Sequence, residues 1–172
     1  TSSAILRYQQ GEFEPADSLC GEAIRVNPDD GEAYSYRALS QSMLRNYSAA
    51  YENFRKAAEL KPDRAVMAQQ NIDHNFAEVF NNGVEAANRD ETELAIEYFT
   101  TATQANPDNP TGYSNLAKAY WSTAEKMREY AKEDFKANAL LAVENFEIAL
   151  GKESDAVKRE ETAPALAAVL GN

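Results

Sequence analysis

The residues able to carry covalent or metal chemistry are few and scattered. The chain holds one histidine, His74, and one cysteine, Cys20. A zinc site needs three or four His, Cys or acidic ligands at close spacing, and a nucleophile needs a base beside it, so the parts for either chemistry are missing. His74 falls in a stretch where a solvent-facing or packing role is expected. Cys20 repeats a position held elsewhere by Phe54, Phe99 and Phe146, which marks it as a core residue. The seven glycines form no loop that would cradle a phosphate. Asp90-Glu91-Thr92-Glu93 lacks the alternating ligand spacing of a calcium loop and reads as acids at the positive start of a helix. Asn46-Tyr47-Ser48 has the glycosylation pattern, but Tyr47 already has a role as a turn aromatic. No catalytic residue, cofactor or metal is expected.

The remaining polar and aromatic side chains must then act by contact, and elements have to hold them in place. The chain has 172 residues, 44% hydrophobic and 26% charged, enough for one core without disulfides or metal. With 28 acidic and 17 basic side chains the formal charge is -11, which repels nucleic-acid backbones and anionic lipid. No run reaches the ~18 to 20 apolar residues of a membrane span, and no basic leader opens the chain. Thr1 in place of Met is consistent with trimming. A soluble cytoplasmic chain and an exported or periplasmic one that has lost a leader both stay open.

The organisation is repetitive. Ala16-Cys20-Ala23, Ala50-Phe54-Ala57, Ala95-Phe99-Ala102 and Ala142-Phe146-Ala149 each set small, bulky and small residues four and three apart, on one face of a helix. The first three are followed by Asn27-Pro28-Asp29, Lys61-Pro62-Asp63 and Asn106-Pro107-Asp108, where proline stops a helix and an acid suits the start of the next. Pro28 and Pro62 lie 34 residues apart.

This pattern resembles the tetratricopeptide repeat (TPR) family, whose unit is a pair of antiparallel helices of about 34 residues. Tyr34, Ala38, Tyr47, Ala50, Phe54, Ala57 and Pro62 carry the resemblance in the second unit; Gly83, Ala95, Phe99, Ala102 and Pro107 in the third; Tyr113, Leu116, Ala117, Tyr120, Ala142, Phe146 and Ala149 in the fourth. It implies an all-α fold, a right-handed α-solenoid of about four TPR helix hairpins. A single domain over 1-172 is expected, with units at about 1-30, 31-64, 65-109 and 110-153 and a capping tail at 154-172.

Two units are longer than the family pattern. The second and third triplets are 45 residues apart and the third and fourth 47, so 11 and 13 residues have been added. The first addition, about Arg64 to Asn75, has no Gly or Pro and reads as an N-terminal helix extension of about three turns, which keeps the apolar face aligned. The second, within Trp121 to Leu141, alternates charge at helical spacing and predicts a taller hairpin turning near Lys132 to Asp134. Gly151 is expected to end that hairpin. Thr162-Ala163-Pro164 then looks like a helix start, with Leu166, Val169 and Leu170 behind it as a cap over the last apolar face.

The resemblance implies binding on the concave wall built by the first helix of each pair. Projected onto those helices, the wall carries Tyr36, Leu39 and Met43, then Phe80, Asn81, Val84 and Asn88, then Asn115, Lys118 and Trp121, with Ser122 beside them and Ile5 and Tyr8 at the border. Aromatics and Met offer apolar contact, and amides pair with a peptide backbone. Asn81 and Asn115, 34 apart, stand as two rungs of one ladder. Lys118 is the only base there, so an anion clamp is not expected. From Asp73 to Asp108 eight acids face one base, which favours a neutral-to-apolar or basic protein or peptide as partner. The leading expectation is a non-enzymatic interaction scaffold. Self-assembly into a homo-oligomer is the alternative, and an enzyme the third.

Overall fold

Three turns of the same construction fix the hairpins. In a computed structural model of the chain, which describes residues 1–129, 131–155, 159 and 163–167, helix α1 (Ser2–Gln9) turns into α2 (Phe13–Val26), α3 (Gly31–Met43) into α4 (Tyr47–Leu60), and α5 (Ala65–Asn88) into α6 (Thr92–Ala105). At each turn one residue takes a positive φ: Gly11 at 78°, Arg45 at 58° and Asp90 at 60°. The amide of that residue bonds back to Tyr8, Ser42 or Ala87, and the next amide to Arg7, Gln41 or Ala86. Both bonds close the carbonyls left open at a helix end, the Schellman arrangement. Only Gly11 adopts that backbone without strain from a Cβ.

The links between hairpins follow the proline signals. Helices α2, α4 and α6 stop at Val26, Leu60 and Ala105, two residues before Pro28, Pro62 and Pro107. The cap of α3 is Asp30, whose carboxylate accepts from the Glu32 and Ala33 amides at 3.1 and 3.0 Å. Asn109 does the same for α7 (Pro110–Met127), accepting from Thr111 at 2.9 Å. At the second link a short 3-10 turn, Pro62–Arg64, runs straight into the 24-residue α5, the extension that the added residues predict. Helix α8 (Lys132–Lys152) closes the last hairpin. Helix α7 ends at Met127 and α8 begins at Lys132, so Lys132 to Asp134, expected at the turn, belong to α8 instead, with Glu133 and Asp134 in its first turn, where the helix dipole favours acids. Gly151 does not end the helix but lies inside its last turn.

Among the described residues there is helix and turn but no strand. The fold is a TPR-like helical repeat in two compact units, Thr1–Phe76 with Gln104–Asn106, and Ala77–Thr103 with Pro107–Asn172. In the first, Phe54 of α4 is fully buried among Ala38, Ala50, Tyr51, Ala68 and Ile72. In the second, Phe99 of α6 is buried with Ala86, Ala95, Leu116 and Ala119, and Phe146 of α8 with Ala117 and Ala142. Ala165 and Leu166 pack on this last cluster, the cover expected of a capping tail. Thr162, Val169 and Leu170, expected in that tail, lie outside the described residues.

Candidate functional site

The repeat register explains where space opens. Ala4, Ala38, Gly83 and Ala117 hold equivalent places on α1, α3, α5 and α7, all buried. Each admits the second helix of its own hairpin at close range. At Gly83 an added Cβ would stand 2.7 Å from two ring carbons of Phe99, so no larger residue fits. Phe99 in turn holds Phe80, with ring centroids 5.5 Å apart.

Beside that contact the C-terminal unit has a cleft of about 240 Å³ between α5 and α7, with the start of α6 as its floor. Val84, Asn88, Asn115 and Lys118, four of the residues expected on the binding wall, line it together with Ser122. Phe99, Ala95 and Ala119 make its apolar base. The side chain of Asn115 donates to the Thr111 carbonyl at 2.9 Å, which pins the amide and leaves its oxygen as an acceptor. At one end, Lys126 Nζ donates to the Asp90 carboxylate and to the Thr92 hydroxyl, each at 2.7 Å, tying α7 to the α5–α6 turn. Asp90 and Thr92 also line the cleft; their place follows from that turn, which the acidic run at 90–93 marked only as a helix start.

The other expected wall residues sit differently. Asn81 is exposed and does not line the cleft that Asn115 and Asn88 line. Phe80 is half-buried against Phe99. Trp121 is half-buried, 6.2 Å from Phe135 and packed on the Phe146 cluster. In the N-terminal unit Leu39 packs partly against the Phe54 core, and Tyr36 stands edge-on to Tyr8 with centroids 5.6 Å apart. Met43 is 55% exposed.

Groups suited to chemistry are placed apart. Cys20 is fully buried, and burial, helped by the Asp17 carboxylate, pushes its thiol up to about 11. His74 is exposed on α5. Burial works to raise the Asp30 carboxyl, but bonds from the Thr1 hydroxyl and the Ala33 and Glu32 amides hold it below its usual range. Among the described residues no three His, Cys or acidic side chains gather to hold a metal ion. Among them, too, no helix is long and apolar enough to cross a membrane.

No family model and no curated protein matches the chain. Solved structures similar to it include a monomeric mutant of IFIT1 with m7Gppp-AAAA, at TM-score 0.49 and 16% identity over 93% of this chain and 43% of that one. A MamA protein reaches 0.42 at 14% identity, over 98% and 79%. MamA 41-end from Desulfovibrio magneticus RS-1 reaches 0.37 at 16%, over 99% and 90%. The chain spans less than half of the IFIT1 structure it matches. At scores below 0.5 these likenesses transfer no ligand to it, and its functional reading rests on its own geometry.

Proposed function

We propose that the chain is a non-enzymatic scaffold that holds a protein segment in the cleft between α5 and α7. The observation that carries this is the lining: an apolar base of Phe99, Ala95 and Ala119 under a rim of amides, hydroxyls, one ammonium and the Asp90 carboxylate that Lys126 holds. Such a site buries one apolar side chain while Asn88 and Asn115 offer donors and acceptors to the backbone around it. The net charge of -11 weighs against a nucleic-acid ligand.

The test is a panel of capped, fluorescently labelled peptides read by polarisation. Binders are expected to weaken at least about tenfold in Asn88→Ala/Lys118→Ala, with circular dichroism unchanged. Binders that ignore both substitutions would place the site elsewhere and refute the reading. Phe80 and Trp121 make poor probes, since both are packed on core residues and their loss also loosens the fold.

Self-assembly has one observation of its own: Leu140 and Leu141 on α8 are 70% and 38% exposed. Sedimentation over a concentration series decides it, because a chain that stays monomeric throughout removes this reading.

A further inference from the structure

The cleft lies where the same fold elsewhere carries an aromatic pair. In the repeat register Tyr8, four residues after Ala4, is equivalent to Ala87, four after Gly83. Tyr36, two before Ala38, is likewise equivalent to Asn115, two before Ala117. In the N-terminal unit Tyr8 of α1 meets Tyr36 of α3 edge-on at 5.6 Å, and Phe13 lies 5.7 Å from Tyr8. Rings therefore occupy the space between those two first helices. In the C-terminal unit the two equivalent positions, Ala87 and Asn115, both line the cleft, and neither is long enough to cross it.

We infer that the cleft takes an aromatic side chain of a partner segment, which supplies the ring that the chain itself supplies at Tyr8 and Tyr36, and that an acidic residue of the segment pairs with Lys118. This rests on the scaffold reading above and names its ligand. The volume suffices: about 240 Å³ here, against the roughly 150 Å³ in which an apolar cavity binds benzene. The base of Phe99, Ala95 and Ala119 is apolar.

Charge selects the flank. Asp90 is held by Lys126, and Arg89 is bound by Glu85 and Glu91, at 3.8 and 3.0 Å. Lys118, exposed on the rim, has no acidic partner among the described residues. A carboxylate on the partner finds an ammonium ready there, while a Lys or Arg in that place meets repulsion. This departs from the basic partner that the overall charge favours, because the groups facing the cleft differ from the rest of the unit.

The experiment uses capped nonapeptides with an Asp two residues from a central position that is Tyr, Phe, Leu or Ala, titrated against the whole chain. Tyr and Phe are expected to bind at least about tenfold more tightly than Ala, as burial of a ring implies. Replacing the Asp by Lys is expected to weaken binding several-fold, and Lys118→Gln to abolish that difference. The decisive variant is Ala87→Tyr/Asn115→Tyr, which rebuilds the chain's own pair. It is expected to fold with an unchanged or raised urea midpoint and to lose the aromatic peptides. Ala87→Phe alone serves as a second plug if the double variant does not fold. Peptides that need Asn88 but bind equally well with Leu, Ala or Tyr overturn the aromatic assignment and leave the scaffold reading standing. Retention of the Tyr peptide by a folded plugged variant overturns the inference outright, and a panel in which no peptide binds overturns both.

Discussion

Gly83→Ala tests the close approach of α5 to Phe99. In an open helix this change stabilises by about 1 kcal/mol, because alanine is the better helix former. Here the new methyl would meet the Phe99 ring at 2.7 Å, and ordinary contact lies at 3.4 to 4 Å, so the ring has to retreat by most of an ångström. Most sides are closed to it: Phe99 is 2% exposed and packed by Ala86, Ala95, Leu116 and Ala119, with the Phe80 ring tilted against it, and only the cleft side is open. Overpacking of this kind costs about 1–3 kcal/mol. Set against the helix gain, a net loss of about 1 kcal/mol is expected, a fall in melting temperature of about 2–4 °C for a chain of this size. Urea unfolding at constant m measures it. Gly151→Ala is the control, since nothing lies within 4 Å of its added Cβ and no loss is expected. Combining Gly83→Ala with Phe99→Leu should lose less than the sum of the two single changes, because the smaller side chain makes room. If Gly83→Ala proves as stable as the wild type or more so, the close packing of α5 on α6 is wrong.

Further outcomes follow from the turns, the buried thiol and the caps. Arg45→Gly should stabilise by about 1 kcal/mol by relieving the 58° φ, and Gly11→Ala should destabilise by a similar amount although its added Cβ touches nothing; paired urea curves read both. The raised Cys20 thiol stays protonated in the folded chain while the unfolded one ionises from about pH 9, so stability should fall between pH 9 and 11. The fall amounts to at most about 3 kcal/mol, and Cys20→Ala should lose that part of the slope. The same thiol should react with a disulfide reagent only after unfolding. Asp30 runs with the opposite sign: its lowered carboxyl stabilises above the ordinary carboxylate range and loses that effect as pH falls. Asp30→Ala should cost about 1 kcal/mol at neutral pH and almost nothing in acid, measured by melting across pH.

Helices were legible wherever period and punctuation agreed. The Ala-Phe-Ala triplets marked the second helix of each hairpin, and the prolines its end. The added residues before Asn75 had no breaker and continued as helix, since each extra turn keeps the apolar face in phase. What the pattern could not show was the turn chemistry. Arg45 is a poor residue for a positive φ and Asp90 a tolerated one, so their equivalence to Gly11 emerges from the backbone bonds they share. The candidate site was legible in half. Val84, Asn88, Asn115 and Lys118 share a cleft because helical spacing aligns them. Leu39 and Trp121 point the same way along their helices but meet neighbours that cover them, and spacing within one helix carries no information about the element opposite. Thr92 and Asp90 joined the cleft through a turn, which a helical projection does not reach.

The most direct measurement is methyl and amide NMR of the chain titrated with the tyrosine nonapeptide. Saturable shifts at Val84, Ala87, Ala95 and Ala119, absent in the folded Ala87→Tyr/Asn115→Tyr variant, are the predicted result. Shifts confined to other surfaces, such as that of Leu140 and Leu141, or shifts that persist in the plugged variant, would contradict a docking site between α5 and α7.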